Sequence, residues 1–91
     1  MKEYVMFIDP FVMDQQVFEI INGELKVAAT FQLTNMESYA PIFKLINQAE
    51  NEQIIINLKC PKAFQEKVKD TIYTYSNKLN FKQNNIIIKD S

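Results

Sequence analysis

Three apolar runs dominate the hydrophobic pattern along this chain. They occupy residues 4–8, 54–58 and 86–88, and only Asn57 interrupts them. Continuous apolar runs with β-branched and aromatic members are typical of strands that are buried on both faces. We therefore expect these three runs to form the parallel middle of one sheet.

A β-hairpin is predicted around Asn22-Gly23, which is the preferred residue pair for a two-residue type I′ turn. Folding the chain at this turn places Glu19 opposite Lys26, an oppositely charged cross-strand pair. The same register pairs Ile21 with Glu24, Ile20 with Leu25, Phe18 with Val27 and Val17 with Ala28. Most apolar residues thus face apolar residues, which favours the hairpin.

The second arm of this hairpin alternates between two faces, as expected of a half-buried strand. One face carries Leu25, Val27, Ala29, Phe31 and Leu33. An alternative for residues 10–22 is a helix, with Asp9 as its cap and Pro10 at its first position. That helix would change the fold to a ferredoxin-like or other small α/β sandwich.

Two later segments show the helical period. The first helix is predicted at residues 39–49, because Ser38 as its cap places Pro41 in the first turn, where the missing N–H costs nothing. An irregular turn is expected before it, and its apolar stripe is Tyr39, Ile42, Phe43, Ile46 and Ala49. The second helix follows Cys60-Pro61, and its apolar stripe is Phe64, Val68, Ile72, Tyr75 and Leu79.

The order strand, hairpin, helix, strand, helix, strand predicts one α/β domain over residues 1–91. Right-handed crossovers restrict how these elements can be connected. The simplest arrangement is a single mixed five-stranded sheet with strand order 3-2-1-4-5, in which strand 2 is antiparallel. Both crossovers then run in the same direction, so the two helices are expected mainly on one face of the sheet.

This order of elements, with Ile8-Asp9 closing strand 1, resembles the ribonuclease H-like fold. Ribonucleases H, junction resolvases, transposases and actin-like ATPases share that fold. In its nucleases, an aspartate on strand 1 and further acids hold two metal ions, which assist phosphodiester cleavage. The resemblance covers the whole chain as a pattern of elements and implies Asp9 as the corresponding carboxylate.

The candidate metal ligands under this resemblance are Asp9, Glu37 and Asp90, and Asp9 is the candidate catalytic residue. The chain departs from the pattern at the end of strand 4, where Lys59-Cys60 stands and no acid is present. Asp9 followed by Pro10 is also typical of a residue that caps a turn, and we prefer that interpretation. No catalytic residue, bound metal or cofactor is therefore assigned.

Charge and composition narrow the possible chemistry. The net charge is −1, and the ten basic residues are all lysines, so the chain has neither arginine nor histidine. It therefore lacks the guanidinium fork that binds phosphates and the usual general base near neutral pH. The candidate nucleic-acid contacts are Lys59, Lys62 and Lys69. Because Glu66 and Asp70 are interspersed with them, a solvated helix face is the simpler interpretation, and nucleic acid is not the favoured partner.

Cys60 is the one cysteine, so no internal disulfide can form and a cytoplasmic location is expected. Its position between a strand and a helix could lower the thiol pKa, but no histidine exists to complete a cysteine–histidine pair. No apolar run is long enough to span a bilayer, so no membrane association is expected. Abundant isoleucine, asparagine and lysine without arginine are typical of an AT-rich genome, such as that of a phage or mobile element.

Alternation along the apolar strands predicts one covered and one uncovered sheet face. The predicted covered set is Val5, Phe7, Ile54, Ile56, Leu58, Ile86 and Ile88, and the predicted uncovered, partner-binding set is Tyr4, Met6, Ile8, Ile55 and Ile87. We therefore expect a small, non-enzymatic interaction module that binds a protein partner or itself as a dimer. In one alternative residues 10–16 fold back over the open face; in another the protein is a minimal nuclease or nucleic-acid binder.

Overall fold

A computed structural model of the protein describes residues 1–33, 36–49, 52–78 and 85–90. A short 3₁₀ helix at Met36–Tyr39 precedes the first α-helix. The strands are β1 (Lys2–Phe7), β2 (Asp14–Ile21), β3 (Glu24–Gln32), β4 (Ile54–Lys59) and β5 (Ile86–Asp90), and the α-helices are α1 (Ala40–Gln48) and α2 (Lys62–Lys78).

The strands form one mixed five-stranded sheet with the order β3-β2-β1-β4-β5. Strand β2 is antiparallel to both of its neighbours, whereas β4 is parallel to both β1 and β5. The predicted α/β class, strand order and antiparallel second strand are therefore confirmed. A residue of β1, the central strand, consequently has neighbours on both sides.

The hairpin between β2 and β3 turns at Asn22 and Gly23, whose φ angles are 51° and 80°. Both values lie in the left-handed region that a type I′ turn requires. Glu19 pairs with Lys26, as the hairpin register predicts. Because residues 14–21 form a strand, the helical alternative for residues 10–22 is wrong.

Helix α1 begins at Ala40 and carries Pro41 in its first turn, as predicted, and the 3₁₀ helix is the expected irregular turn. Ser38 does not cap α1, because its hydroxyl donates to the Gln32 carbonyl at 2.7 Å and accepts from the Gln32 N–H at 2.9 Å. The predicted cap is therefore wrong: Ser38 instead ties the 3₁₀ helix to the end of β3. The predicted apolar stripe of α1 is buried.

Helix α2 buries Val68 and Ile72 against the sheet, as its apolar stripe predicts. The rings of Phe43 and Tyr75 stack with centroids 5.3 Å apart and thereby join the two α-helices. Leu79, the last predicted member of the stripe, lies outside the described residues. Among residues 36–49 and 52–78, no helix combines the length and hydropathy needed to cross a membrane.

The core lies between the two α-helices and one face of the sheet, which confirms that both helices pack on the same face. Its largest fully buried members include Met6, Phe31, Tyr39 and Leu58. Further buried sheet residues in this cluster are Tyr4, Ile8, Val17, Ala29, Ile54, Ile56 and Ile86. The assignment of Tyr4, Met6 and Ile8 to the uncovered face is therefore wrong.

The register of β1 against β4 explains this correction. Tyr4 pairs with Ile56 and Met6 pairs with Leu58, so these residues share the helix-covered face. Successive strand residues point to opposite faces, so a one-residue change in register exchanges the two faces of β1. Val5 and Phe7, which were expected under the helices, lie instead on the opposite face.

Candidate functional site

The sheet has a second face, opposite the α-helices, that carries apolar and polar residues in about equal number, and it is the candidate site. We call it the open face. Alternation and strand register assign to it Val5 and Phe7 of β1, Phe18 and Ile20 of β2, Leu25 and Val27 of β3, Ile55 of β4 and Ile87 of β5. Of the predicted partner-binding residues, only Ile55 and Ile87 lie on it.

A β-bulge brings two of these side chains to the open face. Phe18 pairs with Val27 as predicted, but Val17 pairs with Ala29, so the predicted pairing of Val17 with Ala28 is wrong and Ala28 is an extra residue in β3. The extra residue reverses the alternation along β3, because each residue step changes the face. Ala29 is consequently in the core while Val27 is exposed, and the predicted single apolar face of β3 is wrong.

Exposure of the open face is highest on the edge strand β3. Val27 is 62% exposed and Leu25 is 51% exposed. Phe7 on β1 and Ile87 on β5 are exposed by 40% and 36%, whereas Val5 on the central strand is only 7% exposed and Phe18, Ile20 and Ile55 are half-buried. Both described α-helices bury apolar residues on the other face, Ile42, Phe43 and Ile46 of α1 and Val68 and Ile72 of α2. Large exposed apolar side chains gathered on one sheet face, here on β3 and at Phe7 and Ile87, are a feature of interaction sites.

Two aromatic rings meet on the open face, Phe18 in its middle row and Phe7 at the carboxyl end of β1. Phe7 and Phe18, on neighbouring strands, meet edge to face with centroids 5.6 Å apart and an interplanar angle of 83°. This is a preferred geometry for aromatic pairs and contributes about 0.5–1.5 kcal/mol beyond the area buried. The two strands are therefore joined on this face by a favourable ring contact.

The charged residues of the open face are distributed along the strands. Glu3, near the amino end of β1, accepts a hydrogen bond from the Asn57 amide at 3.0 Å, and that amide also donates to the Tyr4 carbonyl at 3.1 Å. Lys59 and Lys89 are exposed near the carboxyl ends of β4 and β5. The face thus has apolar residues on β1, β2 and β3, Glu3 near the amino end of β1, Lys59 near the opposite end together with Asp14 of β2, and Lys89 on the edge strand β5.

The corner after β1 is held by Gln15, a buried polar residue. Its amide accepts from the Asp9 N–H at 2.6 Å and donates to the carbonyls of Asp9 and Val12 at 2.8 and 2.9 Å. The Asp9 carboxylate accepts from the Phe11 N–H at 3.0 Å. Asp9 therefore caps this turn together with Pro10, which confirms the preferred interpretation.

The other candidate metal ligands are placed elsewhere. Asp90 ends β5 and binds the Lys69 ammonium at 2.6 Å, while Glu37 lies in the 3₁₀ helix. Within the described part of the chain, no three His, Cys, Asp or Glu residues group so that they could hold a metal ion. Asp9, Glu37 and Asp90 are not brought together.

The candidate nucleic-acid lysines are also dispersed. Lys59 lies at the end of β4 on the open face, Lys62 begins α2, and Lys69 is paired with Asp90. The pKa of Lys69 is raised, mainly by its hydrogen bond to that carboxylate. The three lysines therefore form no continuous basic stripe.

Cys60 has a thiol that the structure makes less acidic. Burial and, to a smaller extent, the charge of Asp90 raise its pKa. The Cys60 Sγ contacts the Pro61 carbonyl at 3.4 Å. The possibility that the strand–helix junction lowers this pKa is therefore wrong.

An exposed apolar loop between β1 and β2 was not predicted. Phe11 is 95% exposed and Met13 is 74% exposed. With Leu33 and Phe64 they line an open groove of about 590 Å³. The loop also reaches the Phe7 end of the open face, because Val12 lines a smaller pocket of about 170 Å³ with Phe7 and Gln16, so residues 10–16 lie against one margin of that face.

The comparisons with known proteins give no match: no family model, no curated protein and no solved structure resembles this chain closely enough to be reported. The functional interpretation therefore rests on the geometry of the open face.

Proposed function

We propose that this chain is a small, non-enzymatic interaction module that binds another protein surface through its open face. The observation that carries the proposal is the exposed apolar side of a sheet whose opposite side already packs against both α-helices. A single core on one face is sufficient for an α/β domain, so the second apolar face is not required for folding. Its apolar side chains are best explained by a binding role.

The size of the open face suits a specific protein contact. Five strands about 4.8 Å apart, with about six residues each at about 3.3 Å, span roughly 24 by 20 Å. This footprint is roughly 480 Å², whereas a standard stable interface buries about 800 Å² on each partner, so the contact belongs to the small end of specific interfaces. The centre of the face also has the aromatic content that is enriched in interfaces, through Phe7 and Phe18.

The charges define the chemistry of the partner. A complementary surface would place a cationic group opposite Glu3 and a carboxylate opposite Lys59, around an apolar centre. Charges at the rim of an interface set orientation and specificity more than affinity. The expected partner is therefore a largely apolar protein surface with separated basic and acidic ends.

A nuclease or nucleic-acid binder of the ribonuclease H-like class is the alternative that the resemblance implies. Its strand-1 carboxylate would be Asp9, which here accepts the Phe11 N–H, while Asp90 accepts from Lys69. Both carboxylates thus have partners within the protein. Incubation with Mg²⁺ or Mn²⁺ and mixed DNA and RNA decides this alternative: cleavage that is lost in Asp9→Asn would replace our proposal.

Affinity capture tests the proposal directly. The immobilised chain is exposed to purified free chain and, separately, to cell lysate, and Ile55→Lys is compared with Thr74→Lys. Ile55 lies on the open face, whereas Thr74 is exposed on α2, so the control adds the same charge to the helix layer. We expect retention by the wild type and by Thr74→Lys, and its loss in Ile55→Lys.

Two outcomes would overturn the proposal. One is that the wild type retains neither its own copies nor any protein from the lysate. The other is that retention is unaffected by Ile55→Lys. Circular dichroism establishes that each variant is folded, and Val27→Lys replaces Ile55→Lys if that variant does not fold, because Val27 is the more exposed residue.

A further inference from the structure

The open face itself carries the apolar residues and the two opposite charges that a partner surface would need. Its apolar centre is complementary to another apolar centre, and Glu3 at one end is complementary to Lys59 at the other. Surfaces that contain their own complement form isologous two-fold interfaces, in which the same patch serves both subunits. A second copy of this chain therefore offers the apolar surface and the separated acidic and basic groups expected of the partner.

We infer that two copies pack open face to open face around a two-fold axis that runs across the strands, so that Glu3 of each copy faces Lys59 of the other. This inference rests on the proposed function and names its partner. The axis lies between the sheets, and each strand lies over the same strand of the other copy in the antiparallel direction. Such packing of sheet faces is common, at a separation of about 10 Å.

The direction of the axis follows from the position of Glu3 on the central strand. A two-fold axis along the strands would place β1 over β1 in the same direction, and Glu3 would then face the Glu3 of the other copy. Like charges opposed in an interface are unfavourable and select against that arrangement. When the axis runs across the strands, Glu3 no longer faces the Glu3 of the other copy.

Reversal of the strands brings opposite charges together. The amino end of β1 then lies over the carboxyl end of the other copy's β1, which is the position of Phe7. Phe7 pairs laterally with Lys59 in the sheet, so Lys59 is the nearest cation to Glu3 across the interface. The Asn57 amide, 3.0 Å from the Glu3 carboxylate, holds that carboxylate at the face.

The middle row of the face can pack against the same row of the other copy in this arrangement. The middle row across the sheet contains Val27, Phe18 and Val5, whose apolar side chains meet themselves in the two-fold pair, and Asn57, whose amide already donates to Glu3 and to the Tyr4 carbonyl. Lys89 also lies in this row, but it is exposed on the edge strand β5. A lysine at an edge can extend its ammonium into water while its stem stays on the apolar surface.

Charge reversal tests the inference, with the dissociation constant of the dimer measured by analytical ultracentrifugation. Glu3→Lys and Lys59→Glu are each expected to weaken the dimer about tenfold. An equimolar mixture of these two variants restores both charge pairs and should dimerise within about threefold of the wild type. The matched controls are Glu66→Lys and Lys67→Glu, both exposed on α2, and these should leave the dissociation constant unchanged.

Two other results would overturn the inference. A dimer that Lys59→Glu leaves unchanged, while Glu3→Lys tightens when mixed with wild type, indicates the axis along the strands and overturns the inference. The proposed function would stand in that case. A chain that is monomeric at every concentration also overturns the inference, and the lysate capture experiment with Ile55→Lys then decides the proposed function separately.

Discussion

Tyr4 lies opposite Ile56 in the parallel register of β1 and β4, and both side chains are buried in the core. This pairing determines which side of the central strand meets the helices. Tyr4 and Met6 then join the core, while Val5 and Phe7 turn to the open face. The identity of the candidate binding surface follows from this one register.

Neighbouring substitutions on β1 test the register. Met6 is fully buried and Phe7 is 40% exposed. Met6→Ala should therefore lower the free energy of unfolding by about 2–4 kcal/mol, because it leaves a cavity. Phe7→Ala should cost about 1 kcal/mol or less, mainly through its contact with Phe18. Urea denaturation measures both values, and a larger cost for Phe7→Ala would contradict the face assignment.

Gln15 gives a second test, at the corner after β1. Gln15→Ala removes three hydrogen bonds from a buried position and leaves backbone groups of Asp9 and Val12 without these partners. A loss of about 2–4 kcal/mol in the free energy of unfolding is expected. Gln16→Ala, at the adjacent exposed position, is the control and should change it by less than about 0.5 kcal/mol. Equal effects would show that the amide does not hold the corner.

The hairpin turn gives a third prediction, through the backbone alone. Gly23 has a φ of 80°, and no atom lies within 4 Å of an added Cβ. Gly23→Val should therefore cost about 1–3 kcal/mol from conformational strain, without a steric clash. Thermal unfolding measures this loss. An unchanged melting temperature would mean that the turn tolerates a side chain in the left-handed region and that our account of it is incorrect.

The raised pKa of Cys60 makes a pH-dependent prediction. Burial disfavours its thiolate, so the folded protein retains the thiol proton to higher pH than the unfolded chain does. The associated stability is fully present below the ordinary thiol pKa of about 8.5 and is lost as the pH rises above it. Alkylation by iodoacetamide should be slower in the native protein than in urea at pH 8. Faster alkylation of the native protein would indicate an activated thiol instead.

Much of the fold was predictable because its signals are local. Asn22-Gly23 specified the turn, the pairing of Glu19 with Lys26 specified the register next to it, and the spacing of Val68 and Ile72 specified the buried side of α2. Each of these features depends on residues that are close in sequence. The order of elements and right-handed crossovers then led to the observed strand order.

The composition of the open face was harder to predict, because it depends on contacts between distant segments. The run at residues 4–8 is apolar at every position, so alternation alone does not distinguish its two sides. The register of β1 against β4 decides between them, and the two strands are about fifty residues apart. The bulge at Ala28 has no strong local signal, and it reversed the predicted faces of Leu25 and Val27.

The measurement that tests the central claim most directly is the molar mass in solution as a function of concentration, by light scattering. The account predicts a wild-type mass that rises toward twice that of one chain. It also predicts that Val27→Lys, on the open face, keeps the mass of a single chain, while Thr74→Lys, on α2, behaves as the wild type does. A single-chain mass for the wild type at all concentrations, or a dimer that Val27→Lys leaves intact, would contradict the claim that the open face joins two copies.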